Sequence, residues 1–254
     1  MVGRDDGEGP ALEAETLSVA YGERTVLENV GLTVGRGEIL GLIGLNGVGK
    51  TTFIKTMLNL IEPAAGTIRL FGRDCRDAAA RNALAYLPEN LNVSRTLKGR
   101  EFVTLSLAYF GIKADRATLA SSAEGLALDP DALNRSVATY SKGMMQKAGL
   151  MATLMSERPL LVLDEPMTGL DPRARILLKD RLIAYREAGG SVFFSSHILS
   201  DIDEICDAVA VLSDRRILYH GDPTSLRERH GGGSLERAFL DAIDHADAEP
   251  ESAR

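Results

Sequence analysis

The chain has 254 residues, of which 44% are hydrophobic and 26% charged, with a formal net charge of −7. That length suffices for one large domain or two small ones and for a sizeable buried core. The acidic balance argues against general nucleic-acid binding, and no apolar run approaches the ~20 residues of a membrane-spanning helix, so a membrane role needs a partner chain.

The opening MVGRDDGEGP is acidic and glycine-rich without a hydrophobic stretch, unlike a secretory signal. Residues 1–12 are expected to be disordered. ETLSVAYG and TVLENVGLTV alternate apolar and polar residues, which predicts two antiparallel strands joined near Gly22. ILGLIG (Ile39–Gly44) is a continuous apolar run, as expected of a strand buried on both faces, and PLLVLDE and SVFFSSH share that character. From about Leu97 to Ser156 the pattern is helical, most clearly in GREFVTLSLAYFG and SKGMMQKAGLMATLM. Short apolar stretches alternating with helical patterns predict an α/β fold with a largely parallel sheet. After His230 three glycines precede a short amphipathic helix carrying Leu235, Phe239 and Ile243 at i, i+4 and i+8. The last ten residues, polar and mostly acidic, are expected to be disordered. Cys75 and Cys206 are too few for a disulfide framework and read as free buried thiols. His220 and His230 read as surface loop residues.

Gly44 to Thr52, GLNGVGKTT, fits G-x-x-x-x-G-K-[ST], with an apolar strand before it and the helical TTFIKTMLNLI after it. Glycines let consecutive backbone N–H groups turn inward around an anion. The helix starting near Lys50 aims its positive end at the same place. Lys50 suits the terminal phosphates of a nucleotide and Thr51 a Mg²⁺ ion. The candidate binding residues of this loop are Gly44, Asn46, Gly47, Val48, Gly49, Lys50, Thr51 and Thr52. A glycine-rich turn that binds nothing is the alternative, and the agreement of every fixed position with both flanks argues against it.

LLVLDEP delivers Asp164 and Glu165 at the carboxyl end of an apolar strand. Asp164 suits a metal shell, and Glu165 a general base or water-orienting group. VFFSSH repeats the arrangement with His197. In an open parallel sheet such strand ends line one ligand crevice, so His197 is expected to touch a γ-phosphate or the attacking water. In YSKGMMQK, Tyr140 to Lys147, Ser141 is a candidate helix N-cap. Met144, Met151 and Met155, with Met145 beside them, form a helical stripe that reads as core packing. No nearby His or Cys completes a soft copper site there.

Taken in order, Tyr21, the phosphate loop, YLPEN, YSKGMMQK, LLVLDEP, TGLDP and SSH resemble the nucleotide-binding subunits of ABC transporters, over about Glu13 to Leu226. The resemblance implies a P-loop NTPase (RecA-like) core with an antiparallel β subdomain and an inserted helical subdomain at about 90–156. The nucleotide-binding domain would span 13–226, and 227–254 would form a short C-terminal helix and acidic tail. Tyr21 matches the aromatic that stacks on adenine, Gly44–Thr52 Walker A, and Leu160–Glu165 Walker B with its catalytic glutamate. Thr168–Asp171 matches the D-loop, with Asp171 meeting the partner subunit. His197 matches the switch histidine, and Ser141, Lys142 and Gly143 match the signature. Glu165, His197 and Lys50 would then be catalytic, and Thr51, Asp164 and Glu89 would hold the metal. ATP and Mg²⁺ are the implied cofactors. Two chains would dimerise head-to-tail, each ATP lying between one P-loop and the other signature.

The usual Leu-Ser-Gly-Gly-Gln signature is here Tyr140-Ser141-Lys142-Gly143-Met144, which resembles the exporter branch with ABC-2 type membrane subunits, antibiotic exporters among them. Glu89 replaces the family's glutamine, keeping an oxygen for Mg²⁺ while adding charge. YLPEN also resembles ATPases of nitrous-oxide reductase copper-assembly exporters, and SLERAFLDAI the C-terminal segment of the ABC-2 branch. The implied protein is the ATP-hydrolysing motor of an exporter of a drug, lipid or other small molecule. It would be cytoplasmic, peripheral on the inner membrane face through an ABC-2 type permease, and a homodimer, with no nucleic-acid partner and no direct membrane insertion. The stretch from Glu89 to about Phe110 would dock on the permease. A soluble non-transport ABC ATPase is the alternative. Translation factors of that kind carry two cassettes, whereas this chain has one P-loop. Repair ATPases insert a long coiled coil, whereas only about 50 residues without sustained heptads separate Glu89 from Tyr140. A generic P-loop kinase leaves Ser141–Gly143 and His197 unexplained.

Overall fold

The structure is a computed structural model, and it describes residues 9–248. Strands β1 (Leu12–Tyr21) and β2 (Arg24–Val34) form the expected antiparallel hairpin, with Tyr21 opposite Arg24. Their alternation decides which face is buried. The register shifts between Ala14 and Leu17, where Thr16 has φ 47°, and this bulge turns Leu17 and Val19 inward after Leu12 and Ala14. Strand β3 (Ile39–Ile43) is buried along its whole length and leads through the glycine loop into α1 (Lys50–Met57). Strand β4 (Ala65–Leu70) pairs with the other edge of β1, and β5 (Arg73–Asp74) extends it, giving a four-stranded sheet ordered β2-β1-β4-β5.

After the short α2 (Ala78–Arg81) and β6 (Leu84–Leu87), the chain forms a helical unit of α3 (Gly99–Tyr109), α4 (Arg116–Glu124) and α5 (Lys142–Leu154). It returns to the sheet in β7 (Leu160–Asp164), α6 (Pro172–Glu187), β8 (Ser191–Ser196), α7 (Leu199–Ile205) and β9 (Ala208–Ser213). Strand β10 (Arg216–Gly221) and helices α8 (Pro223–Arg229) and α9 (Leu235–Ala248) follow. The six-stranded sheet is ordered β10-β9-β3-β8-β7-β6, parallel except for the β9–β10 pair. Strands β3, β8 and β7 are neighbours, so their carboxyl ends share one edge. The smaller sheet leans on the larger where the Glu28 N–H donates to the Arg215 carbonyl at 2.9 Å.

Several boundaries differ from expectation. Ala11 and Leu12 are fully buried, and Leu12 pairs with both Val34 and Leu70, so order begins before Glu13. Residues 1–8 of the segment expected to be disordered lie outside the described residues. The division at 226/227 cuts through α8. Leu235, Phe239 and Ile243 do form the inward stripe of α9, and they join the same core as Ile39 and Leu161, so that helix is part of the domain. It runs to Ala248, into the ten residues expected to be disordered, and 249–254 lie outside the described residues. His220 is exposed but lies on β10 rather than in a loop, whereas His230 sits half-buried in the turn after α8, as the loop reading expects. Both cysteines are free, Cys75 buried and Cys206 only half-buried. Met151 is fully buried and Met144 and Met155 pack against the same core, as the helical stripe predicts.

Candidate functional site

At the shared carboxyl ends of β3, β7 and β8 lies a cavity of about 350 Å³. Asn46, Gly47, Gly49, Lys50, Thr51, Thr52, Glu89, Asp164, Glu165, Thr168 and His197 line it. Gly49 has φ 122°, and a Cβ there would come within 2.9 Å of Leu27 Cδ2, so the loop needs glycine both for its backbone and for its approach to β2. Val48 packs against the core under the smaller sheet.

Lys50 is buried, and its ammonium donates to the carbonyls of Gly44 at 2.7 Å and Leu45 at 3.3 Å. Glu165 Oε1 lies 3.6 Å from the same Nζ. Thr51 Oγ1 donates to Asp164 Oδ2 at 3.0 Å, so the start of α1 and the end of β7 meet across the cavity. Glu165 directly follows β7 and has φ 50°, a left-handed conformation that side-chain-bearing residues rarely adopt. His197 Nδ1 is 2.7 Å from Glu165 Oε2. A buried carboxylate thus sits between an ammonium and an imidazole, a suitable place for a group that holds and moves a proton. The Tyr86 phenol on β6 is pushed up to about 12, chiefly by burial and then by the Asp164 and Glu89 carboxylates. It remains neutral beside them at physiological pH.

The start of α5 is built differently. Ser141 does cap α5, its Oγ accepting the Met144 N–H at 3.2 Å. A Cβ on Gly143 would stand 2.6 Å from the Gly169 carbonyl oxygen, so α5 touches the 168–171 loop through a bare backbone. The stem of Lys142 runs beside Gly169. Gln146 donates to the Pro166 carbonyl at 3.2 Å. Buried Lys147 donates to Asp171 Oδ2 at 2.7 Å and to the Ala127 carbonyl at 2.9 Å. Asp171 also caps α6 through the Ala174 N–H at 2.9 Å. Its carboxyl is held below the usual range, first by Lys147 and then by that N–H.

Tyr21, Ser141, Lys142, Gly143 and Asp171 therefore stand apart from the cavity-lining set. Tyr21 is half exposed at the hairpin tip. Gln146 and Lys147, which tie α5 to the loop after β7, and Ser195 carry no motif signal of their own in the sequence. Ser195 Oγ donates to Asp164 Oδ1 at 2.6 Å and accepts the Glu165 N–H at 3.0 Å. The SSH string contains Ser195, but only the pairing of β7 with β8 reveals what it touches.

The sequence profile described as ABC transporter matches residues 27–168, more than half of the chain, and the chain belongs to that family. An uncharacterized ABC transporter ATP-binding protein of Nostoc sp. (strain PCC 7120) is 38% identical over 199 residues, covering 77% of this chain and 59% of that one. The Nod factor export ATP-binding protein I of Paraburkholderia xenovorans is 33% identical over 220 residues, covering 85% of this chain and 72% of that one. The chain thus spans 59% of the length of the first relative. A solved structure of an ATP binding subunit of an ABC transporter superposes with a TM-score of 0.85 at 33% identity, covering 91% of this chain and 99% of that one.

Proposed function

We propose that the chain binds and hydrolyses ATP as the motor subunit of an ABC exporter, dimerising head-to-tail and driving a separate membrane permease. The observation that carries the reading is Glu165, buried between Lys50 at 3.6 Å and His197 at 2.7 Å in a cavity floored by a phosphate loop. Lys50 would exchange the Gly44 and Leu45 carbonyls for the terminal phosphates, while the N–H groups at the start of α1 receive the remaining charge. Thr51, Asp164 and Glu89 offer only oxygen donors, a set that fits Mg²⁺. When bound, that ion supplies charge neutralisation at the phosphates. Glu165 orients the attacking water and accepts its proton as the new bond to the γ-phosphorus forms and the bond to the ADP oxygen breaks. His197 holds the glutamate carboxylate in place.

The capped start of α5 would present Ser141, Lys142 and Gly143 to the γ-phosphate of a second copy, where free N–H groups and the Lys142 charge favour an anion. Asp171 would meet the same partner, and Tyr21 would stack on adenine. Among the described residues no helix is long and apolar enough to cross a membrane, so a cytoplasmic position on the inner membrane face would come through the permease. Leu105 and Tyr109 on α3 are 60% and 81% exposed, which supports docking of an ABC-2 type permease there. The Nod factor export relative supports an export direction. Purification of the tagged chain from its native membrane tests the reading. A co-purifying multi-span subunit with ATP hydrolysis by the complex is expected; a chain that hydrolyses ATP without any membrane partner would contradict the transport role.

A further inference from the structure

Glu165 occupies an unfavourable backbone conformation at a place where the strand ladder can no longer support it. The β7–β8 register ends at the Asp164–Ser195 pair, so the Glu165 N–H lies one residue past the last ladder position. Its acceptor is the Ser195 hydroxyl at 3.0 Å, on a residue that is completely buried. The same hydroxyl donates to Asp164 Oδ1 at 2.6 Å. Both capacities of the hydroxyl are used, one on each of two consecutive carboxylate residues. Two residues on, just past the end of β8, His197 holds the carboxylate of Glu165. Strand β8 and the residue just after it therefore hold Glu165 at its backbone and at its side chain.

We propose that Ser195 is a positioning residue for ATP hydrolysis: its hydroxyl fixes the left-handed backbone of Glu165, so that the carboxylate points at the attacking water. A residue at φ 50° persists only where its surroundings over-determine it. The Ser195 hydroxyl supplies that constraint, and alanine supplies none of it. Threonine keeps both hydrogen bonds. The inference rests on the ATPase reading given above.

The test is a mutant cycle in the assembled complex, with steady-state hydrolysis, ATP affinity and thermal melting measured for each variant. Ser195→Ala is expected to lower kcat by about ten-fold or more, the scale of a lost buried hydrogen bond. ATP affinity should stay within about three-fold of wild type, because the phosphate loop is untouched. Ser195→Thr should recover most of the loss. In a Glu165→Gln background the alanine change should cost nothing further, since the group that it positions is gone. Wild-type kcat in Ser195→Ala, or an equal loss on both backgrounds, would overturn the inference; the latter would mean that the serine acts through Asp164 or through general packing. If the threonine variant melts early, Ser195→Cys replaces it. A wild-type complex without ATP hydrolysis would instead sink the ATPase reading, and this inference with it.

Discussion

His197 Nδ1 lies 2.7 Å from Glu165 Oε2, a contact that joins the residue after β8 directly to the carboxylate that follows β7. The imidazole holds one carboxylate oxygen while Lys50 stands 3.6 Å from the other. Replacing His197 with Ala frees the carboxylate to swing. Turnover should fall by roughly 10²-fold, in the range of a general acid–base contribution, while ATP affinity remains. Steady-state hydrolysis beside a nucleotide-binding titration checks this; near-normal turnover would remove His197 from that role.

Lys50→Ala removes the buried ammonium that now bonds the Gly44 and Leu45 carbonyls. Those carbonyls and Glu165 would lose their cation, and the terminal phosphates would lose theirs. ATP affinity should drop by at least about ten-fold, since a charge-assisted hydrogen bond contributes ~1.5–3 kcal/mol. Equilibrium binding of a labelled ATP analogue measures it. Unchanged affinity would argue strongly against the phosphate-loop assignment.

The Lys147–Asp171 pair fastens α5 to the start of α6. The Asp171 carboxyl titrates lower in the folded chain than it would unfolded. Its contribution is therefore present above the unfolded carboxylate value, near ~3.9, and is lost as pH falls through the folded value. Asp171→Ala also removes the α6 cap and should cost about 1 kcal/mol at neutral pH. The gap in melting temperature between wild type and this variant should narrow below about pH 4. A gap that is constant across that range would mean that the charge on Asp171 is irrelevant to stability.

Ser141→Arg places a bulky cation at the start of α5, away from the residues that line the chain's own cavity. ATP binding to the isolated chain should be unchanged and ATP-driven dimerisation lost. Light scattering with and without ATP separates the two. Loss of binding by the monomer would mean that the site is not shared between chains.

Much of the site could be read from sequence because its chemistry is local. The glycine loop, the acidic strand end and the strand-end histidine are contiguous strings, and continuous apolar runs mark β3, β7 and β8 as central strands. What escaped depends on who neighbours whom. Ser195 matters only because β8 lies between β3 and β7, and no string encodes that order. Lys147 sits in a helical run whose spacing suits a polar face, yet it is buried against Asp171. Strand β9 is buried along its whole length, but the short apolar run Ala208–Leu212, without a motif, cannot be separated from a helix by periodicity. The N-terminal boundary was blurred by acidic, glycine-rich composition, while Ala11 and Leu12 were already committed to the smaller sheet's core.

Glu165 is the group proposed to activate water. Glu165→Gln keeps the side chain's size while removing its capacity to take a proton. Single-turnover ATP hydrolysis, measured together with ATP binding and dimer formation, tests that role most directly. Hydrolysis should slow by about 10²–10⁴-fold, with ATP still bound and the dimer trapped in its nucleotide-loaded form. Near-normal hydrolysis in this variant would contradict the account.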